Sequence, residues 1–221
     1  MTLPRYSRAD IARRAAADIP AGSYVNLGIG MPVMALDYWT PEDGVVVHSE
    51  NGILGLRART EADPRDPDIT NAAKQHVALG AGGSYFHHSD SFAMMRGGHL
   101  DYCLLGAYQV SETGDLANWS LGQPGLAVAV GGAMDLVVGA KRVHVLMEHT
   151  TRDGRSRVRR RCDLPLTGAA CVDRIYTDLA TLDVTPAGLL VRDMAPGLTR
   201  QALQAATDAP LRYAEELAHV D

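Results

Sequence analysis

The chain has 221 residues, 46% hydrophobic and 21% charged, with only two Phe and two Trp; this composition fits a folded protein with an aliphatic core and excludes a disordered tail or a disulfide scaffold. A net charge of −5 argues against a general nucleic-acid or anionic-membrane binder, which needs a broad basic face. Apolar runs such as 126–130 and 136–138 fall far short of the roughly 18 residues of a membrane span, and the first ten residues carry no apolar signal core, so a cytosolic protein is expected.

Ser7 opens a Ser-x-x-Asp capping arrangement, and Ile11, Ala15 and Ile19 share one stripe. Together they predict an amphipathic helix over 7–19, stopped by Pro20 and Gly22. Residues 24–27 read as a short strand, followed by the turn Gly28-Ile-Gly-Met-Pro32 and a second helical stretch through Trp39. The run Val45-Val-Val47 predicts a strand buried on both faces, ending at His48-Ser-Glu-Asn-Gly52. Seven of twelve residues over 57–68 are charged, and with two prolines they predict an irregular charged loop. Further strands are expected at 101–105, 143–147 and 172–176, with a helix near 91–96 and a glycine-rich passage over 122–132. Asp153-Gly154 predicts a hairpin turn between Met147 and Cys162, residues 185–188 another turn, and residues 199–206 a closing helix. With no repeat and no linker, one α/β domain over 1–221 is the expectation.

Open α/β sheets bind ligands at the carboxyl ends of their strands. Glu50 stands at such an end, where a carboxylate can serve as nucleophile, general base or metal ligand; equally, it can cap a following helix or pair with a nearby arginine. The turn containing Gly28 and Gly30 lacks the third glycine of a dinucleotide fingerprint and has no P-loop lysine, so it is a candidate site wall whose N–H groups suit an anion. Gly131 and Gly132 can bring main-chain N–H groups to a reacting carbonyl, though close backbone packing accounts for them too. His87, His88 and His99 have no ligand partner at metal spacing, and Cys103, Cys162 and Cys171 read as reduced thiols. The six arginines over 152–161 read as the solvated face of a hairpin.

The phrases Asn26-Leu-Gly-Ile-Gly-Met-Pro32, His48-Ser-Glu-Asn-Gly-Ile-Leu-Gly55, Asp90-Ser-Phe-Ala-Met-Met-Arg-Gly-Gly-His-Leu-Asp101, Gly114-Asp-Leu-Ala-Asn-Trp119, Gly131-Gly-Ala-Met-Asp-Leu136 and Leu164-Pro-Leu-Thr-Gly168 occur in this order along nearly the whole chain. They strongly resemble the B subunits of class I 3-oxoacid CoA-transferases, those acting on 3-oxoadipate most and the succinyl-CoA:3-ketoacid type next. The resemblance implies a three-layer, mostly parallel NagB/RpiA/CoA-transferase-like fold, Glu50 as covalent nucleophile and Gly132 as an oxyanion-hole donor. It implies a partner A subunit that completes the site, with coenzyme A as substrate and no metal or redox cofactor. Lys74 matches a lysine near the family's active site, with a structural ion pair as its alternative, and Asn51 is a candidate for orienting the nucleophile.

One departure stands beside the signature. Where the family continues with Gly-Pro, this chain has Leu56-Arg-Ala-Arg-Thr60, read as a charged, more pliable loop. Arg57 and Arg59 then either meet a second carboxylate on a dicarboxylic acyl group or stay solvated. The rival readings are a hydrolase or lyase on the same scaffold and a non-catalytic binder of small acids or CoA esters.

Overall fold

The computed structural model describes residues 3–64, 66–123 and 129–217. Ser7 caps α1 (Arg8–Ala17) reciprocally: its hydroxyl accepts from the Asp10 N–H, and the Asp10 carboxylate accepts from the Ser7 N–H. Two orphan donors of the first turn are thereby satisfied. The predicted stripe of α1 faces inward, with Ile11, Ala12, Ala15 and Ala16 buried.

The strands that follow are β1 (Tyr24–Leu27), β2 (Val46–Ser49), β3 (Ile53–Ala58), β4 (Val77–Tyr85) and β5 (Tyr102–Leu105). Next come β6 (Gln109–Ser111), β7 (Leu116–Ala117), β8 (Arg142–Met147), β9 (Val158–Arg159) and β10 (Arg174–Thr177), then β11 (Ala180–Thr185), β12 (Gly188–Met194) and β13 (Leu211–Tyr213). Ten of them form one sheet in the order β13-β12-β11-β10-β8-β5-β1-β2-β3-β4, while β7-β6-β9 form a small second sheet. The five central strands β10-β8-β5-β1-β2 are mutually parallel. The flanks are antiparallel hairpins, with β13 added parallel to β12.

The remaining helices are α2 (His88–Arg96), α3 (Ala133–Gly139) and α4 (Arg200–Ala205). Strand residues alternate between two cores, as the two-residue period of a strand requires. Leu104, Leu146 and Tyr176 pack with the buried residues of α1, whereas Cys103, Leu105, Val145, Met147 and Ile175 pack with Met95 of α2, Leu136 and Val137 of α3 and Leu203 of α4. A mostly parallel sheet therefore lies between two helical layers, the expected α/β class.

Five sequence expectations change. The stretch after the Gly28 turn is a 3₁₀ helix, Pro32–Tyr38, and not an α-helix. Arg57 and Ala58 belong to β3, so the irregular segment starts later than residue 57. The strand predicted from 172 begins at Arg174. The Asp153-Gly154 turn is present, closed by a Thr150–Ser156 bridge, but it joins strands of different sheets. Finally, α4 is followed by β13, which adds an edge strand. Part of the predicted 122–132 passage, 124–128, lies outside the described residues.

Candidate active site

The chain leaves β1 for β2 on one side and returns to β5 on the other, so the order reverses between β1 and β5. Such a switch point opens a crevice at the carboxyl ends of the strands. A cavity of about 590 Å³ lies there, walled by Leu27 to Ile29 at the end of β1, Leu105 to Ala107 at the end of β5, Glu148 after β8 and Glu50 after β2. This volume suits a small organic ligand.

Glu50 sits at a hairpin tip. Ser49 pairs with Ile53 across the β2–β3 turn, and the Gly52 N–H donates to the Ser49 carbonyl at 3.0 Å. Gly52 has φ +110°, and a Cβ there would fall 2.2 Å from the Phe86 carbonyl oxygen, so only glycine fits. The residues flanking Glu50 reach into the neighbouring loop. Ser49 Oγ accepts from the Ala72 N–H at 3.0 Å, and Asn51 Nδ2 donates to the Thr70 carbonyl at 2.7 Å. With both neighbours tied down, the half-buried Glu50 faces the cavity. Neither bland alternative holds: the next element is a strand, not a helix, and among the described residues no cation pairs with Glu50.

Below the tip, His48 is 1% exposed and lies near-parallel to the Phe86 ring. Asn26 Nδ2, at the end of β1, donates to His48 Nδ1 at 3.0 Å. The ring proton therefore belongs on Nε2, which reaches Ser91 Oγ of α2 at 2.9 Å. Burial pushes the imidazole down to about 4, so it is neutral at pH 7. The strand that carries Glu50 is thereby fixed to α2, and Arg96 of α2 pairs with Asp135 of α3 at 2.6 Å.

Gly132 precedes α3 and completes this circuit. A Cβ built on it would lie 2.5 Å from Glu50 Oε2 and 3.2 Å from Phe92 Cζ. Glycine thus lets the main chain come against the carboxylate, and both residues line the cavity together with Gly131. Gly28 lines the opposite wall, its N–H donating to the Leu104 carbonyl at 2.8 Å. Gly30, with φ +91°, shapes the turn between the lining residues Ile29 and Met31 without itself lining the cavity. Lys74 is not brought to the cavity: it is exposed, with φ +61°, in the turn that follows Ala72.

The departure next to the signature has a local explanation. Arg57 forms a two-pronged pair with Asp63 at 2.8 and 2.5 Å, Arg59 donates to the Asp63 carbonyl, and Thr60 donates to the Asp63 carboxylate through both N–H and hydroxyl. The guanidinium of Arg57 holds the Asp63 carboxyl well below the usual range. Instead of a pliable loop, the segment is the end of β3 followed by a turn tied to Asp63, and neither arginine lines the cavity.

Among the six arginines over 152–161, Arg152, Arg155, Arg160 and Arg161 are exposed as expected, but Arg157 lines the cavity. Arg8, Glu148 and Trp119 are further lining residues that sequence reasoning did not single out. Trp119 is held in place by its indole N–H, which donates to the Leu166 carbonyl at 3.1 Å. His87 caps α2 through Nδ1, and no group of three or more potential metal ligands occurs among the described residues. Burial raises all three thiols, Cys162 to about 12 and Cys171 to about 11, so none is a ready thiolate.

A carboxylate set against glycine backbone at the switch point of a mostly parallel sheet defines the class: an α/β protein whose crevice suits acyl chemistry. The chain belongs to the coenzyme A transferase family, whose profile matches residues 8–206. It is 52% identical over 207 residues to the B subunit of the 3-oxoadipate CoA-transferase of Pseudomonas putida, covering 94% of this chain and 97% of that one. It is 47% identical over 204 residues to human mitochondrial succinyl-CoA:3-ketoacid coenzyme A transferase 2, covering 91% of this chain and 39% of the human protein. Among solved structures, the acyl-CoA transferase apoenzyme of Escherichia coli O157:H7 shares the fold, with a TM-score of 0.72 at 20% identity over 98% of this chain and 43% of that chain.

Proposed function

We propose that residues 1–221 form the B-subunit domain of a heteromeric, cytoplasmic CoA-transferase, which moves CoA between an acyl-CoA such as succinyl-CoA and a 3-oxo acid such as 3-oxoadipate or acetoacetate. The observation that carries this reading is the approach of the Gly132 backbone to the Glu50 carboxylate inside the switch-point cavity. The similarity to the B subunits of two-chain transferases supports a partner A subunit. Three unpaired cysteines fit a reducing compartment, and among the described residues no helix is long and apolar enough to cross a membrane. Coenzyme A is a substrate here, with no resident cofactor invoked.

A carboxylate nucleophile suits a reaction that exchanges one acid for another at a thioester. A Glu50 oxygen attacks the acyl-CoA carbonyl, the C–S bond breaks, and CoA thiolate leaves an acyl-glutamyl anhydride. The thiolate attacks the glutamyl carbonyl, expels the donor as its free carboxylate, and leaves glutamyl-CoA. The acceptor carboxylate then attacks that carbonyl and releases thiolate. The thiolate takes the acceptor acyl group from the new anhydride and restores Glu50, with no net proton change. Each attack places negative charge on a carbonyl oxygen, where the Gly132 N–H supplies one hydrogen bond of the kind that stabilises an oxyanion. Asn51 and Ser49 act through the hairpin tip, by fixing its position against the 70–72 loop. Lys74, exposed and off the cavity, serves the loop turn or the partner's side of the site. Binding of the remote nucleotide end of CoA supplies energy for the strained intermediates.

The test mixes the heteromer with acyl-CoA in the absence of acceptor, traps with borohydride and sequences peptides by mass spectrometry. The expected result is reduction of Glu50 to the alcohol, dependent on acyl-CoA and absent in Glu50→Ala. Unmodified Glu50 during active turnover would overturn the proposal, and CoA release with no acceptor need would mark a hydrolase.

A further inference from the structure

Transfer at Glu50 leaves one polar feature of the same cavity unused. Arg157 stands just before β9, held by its N–H to the His149 carbonyl at 2.9 Å and by its carbonyl, which accepts from the Val110 N–H at 3.0 Å. His149 follows β8, so Arg157 enters from the β8 side of the crevice and Glu50 from the β2 side. Between those strands lie β1 and β5.

Arg157 and Glu50 therefore line one cavity from opposite sides of the switch point. Among the described residues no carboxylate pairs with Arg157, whereas the other arginine on the cavity, Arg8, is held by Glu148 at 2.8 Å. The same cavity is lined by Ile29, Leu105, Trp119 and Leu146 and by the polar Tyr108 and Asn118. A mixed wall with apolar stretches and one free guanidinium suits a carbon chain that ends in an anion.

We propose that Arg157 is a specificity-determining residue, which binds the free carboxylate at the far end of a dicarboxylic acyl group while the reacting carbonyl sits at Glu50. The inference rests on the transferase reading of Glu50 and names the residue that would distinguish a dicarboxylic acyl group from a monocarboxylic one at that site. It also moves the role once open to Arg57 and Arg59, both committed to Asp63, to a residue hidden in the arginine run.

The test loads the heteromer separately with succinyl-CoA, which has a far carboxylate, and acetoacetyl-CoA, which has none, and measures kcat/KM for CoA transfer to Glu50. For Arg157→Gln, succinyl-CoA is expected to lose about 10- to 100-fold, the worth of a charge-assisted pair, and acetoacetyl-CoA less than about threefold. Arg157→Lys, which keeps charge but not the two-pronged geometry, should fall between wild type and Arg157→Gln for succinyl-CoA alone and guards against a folding defect. Equal losses for both donors would mean that Arg157 serves the shared CoA phosphates and would overturn the inference, as would no loss for either. Failure of the wild-type heteromer to load Glu50 from any donor would instead strike the transferase reading.

Discussion

The two ends of the central strands differ in whether every charge is used up. At the amino ends, charged groups use one another up: Lys141 with Asp101, Arg142 with Asp173, and Arg174 with both Asp18 and Asp183. Tyr176 adds a hydrogen bond to Asp18 at 2.6 Å, and burial pushes its phenol up. At the carboxyl ends Arg8 and Arg5 are likewise held, by Glu148 and Asp178, but Glu50 and Arg157 face one cavity, and neither has an ionic partner among the described residues. A satisfied network stabilises a fold, whereas a charge left without a partner in a cavity is free to meet a ligand. The same sheet thus separates a structural end from a chemical one.

Substitutions can break this contrast. Glu50→Gln should lower kcat by about ten-thousand-fold or more while leaving the thermal midpoint unchanged, because among the described residues no group is bonded to that carboxylate. Gly132→Ala comes next. Its φ of −77° suits alanine, so the fold should survive, but the added methyl would meet Glu50 Oε2 and kcat should drop about 100- to 1000-fold. Stability should respond to acid. His48, His144 and His149 are each pushed down to about 4 by burial, so their contribution is complete above the unfolded value near 6.5 and is lost as pH falls toward 4. Urea unfolding at pH 7 and pH 4.5 should differ by a few kcal/mol, up to about 3 kcal/mol per histidine. Tyr176→Phe, at the structural end, should cost about 1 kcal/mol in urea melts and leave kcat within twofold.

The parallel centre of the sheet was readable because strands buried on both faces are spelled as apolar runs: Val45-Val-Val47, and the cores of β5 and β8. The antiparallel rim was not. β3 carries Gly55 and Arg57, and β4 carries Gly80, Gly82 and Gly83, so neither shows the alternation that marks a strand. Glu50 was legible because a strand ending in Ser-Glu-Asn-Gly places a carboxylate on a tight turn. Arg57 and Arg59, at and just past the end of β3, looked available only because their partner, Asp63, lies further along the chain in the turn. Arg157 was hidden by the opposite effect: it is one of six arginines, and only the pairing of its backbone with His149 and Val110 selects it from its neighbours. No local pattern carries that long-range choice.

The central claim, that Glu50 itself is acylated and carries the thioester, has an isotopic signature. In each cycle the oxygen bridging the second anhydride comes from the acceptor acid and remains on Glu50 when the acyl group departs. Turnover with an acceptor labelled with oxygen-18 in its carboxylate, followed by peptide mass measurement, should therefore place the label in the peptide containing Glu50. Efficient transfer with that peptide at its natural mass would mean that CoA passes directly between substrates, and the account would be wrong.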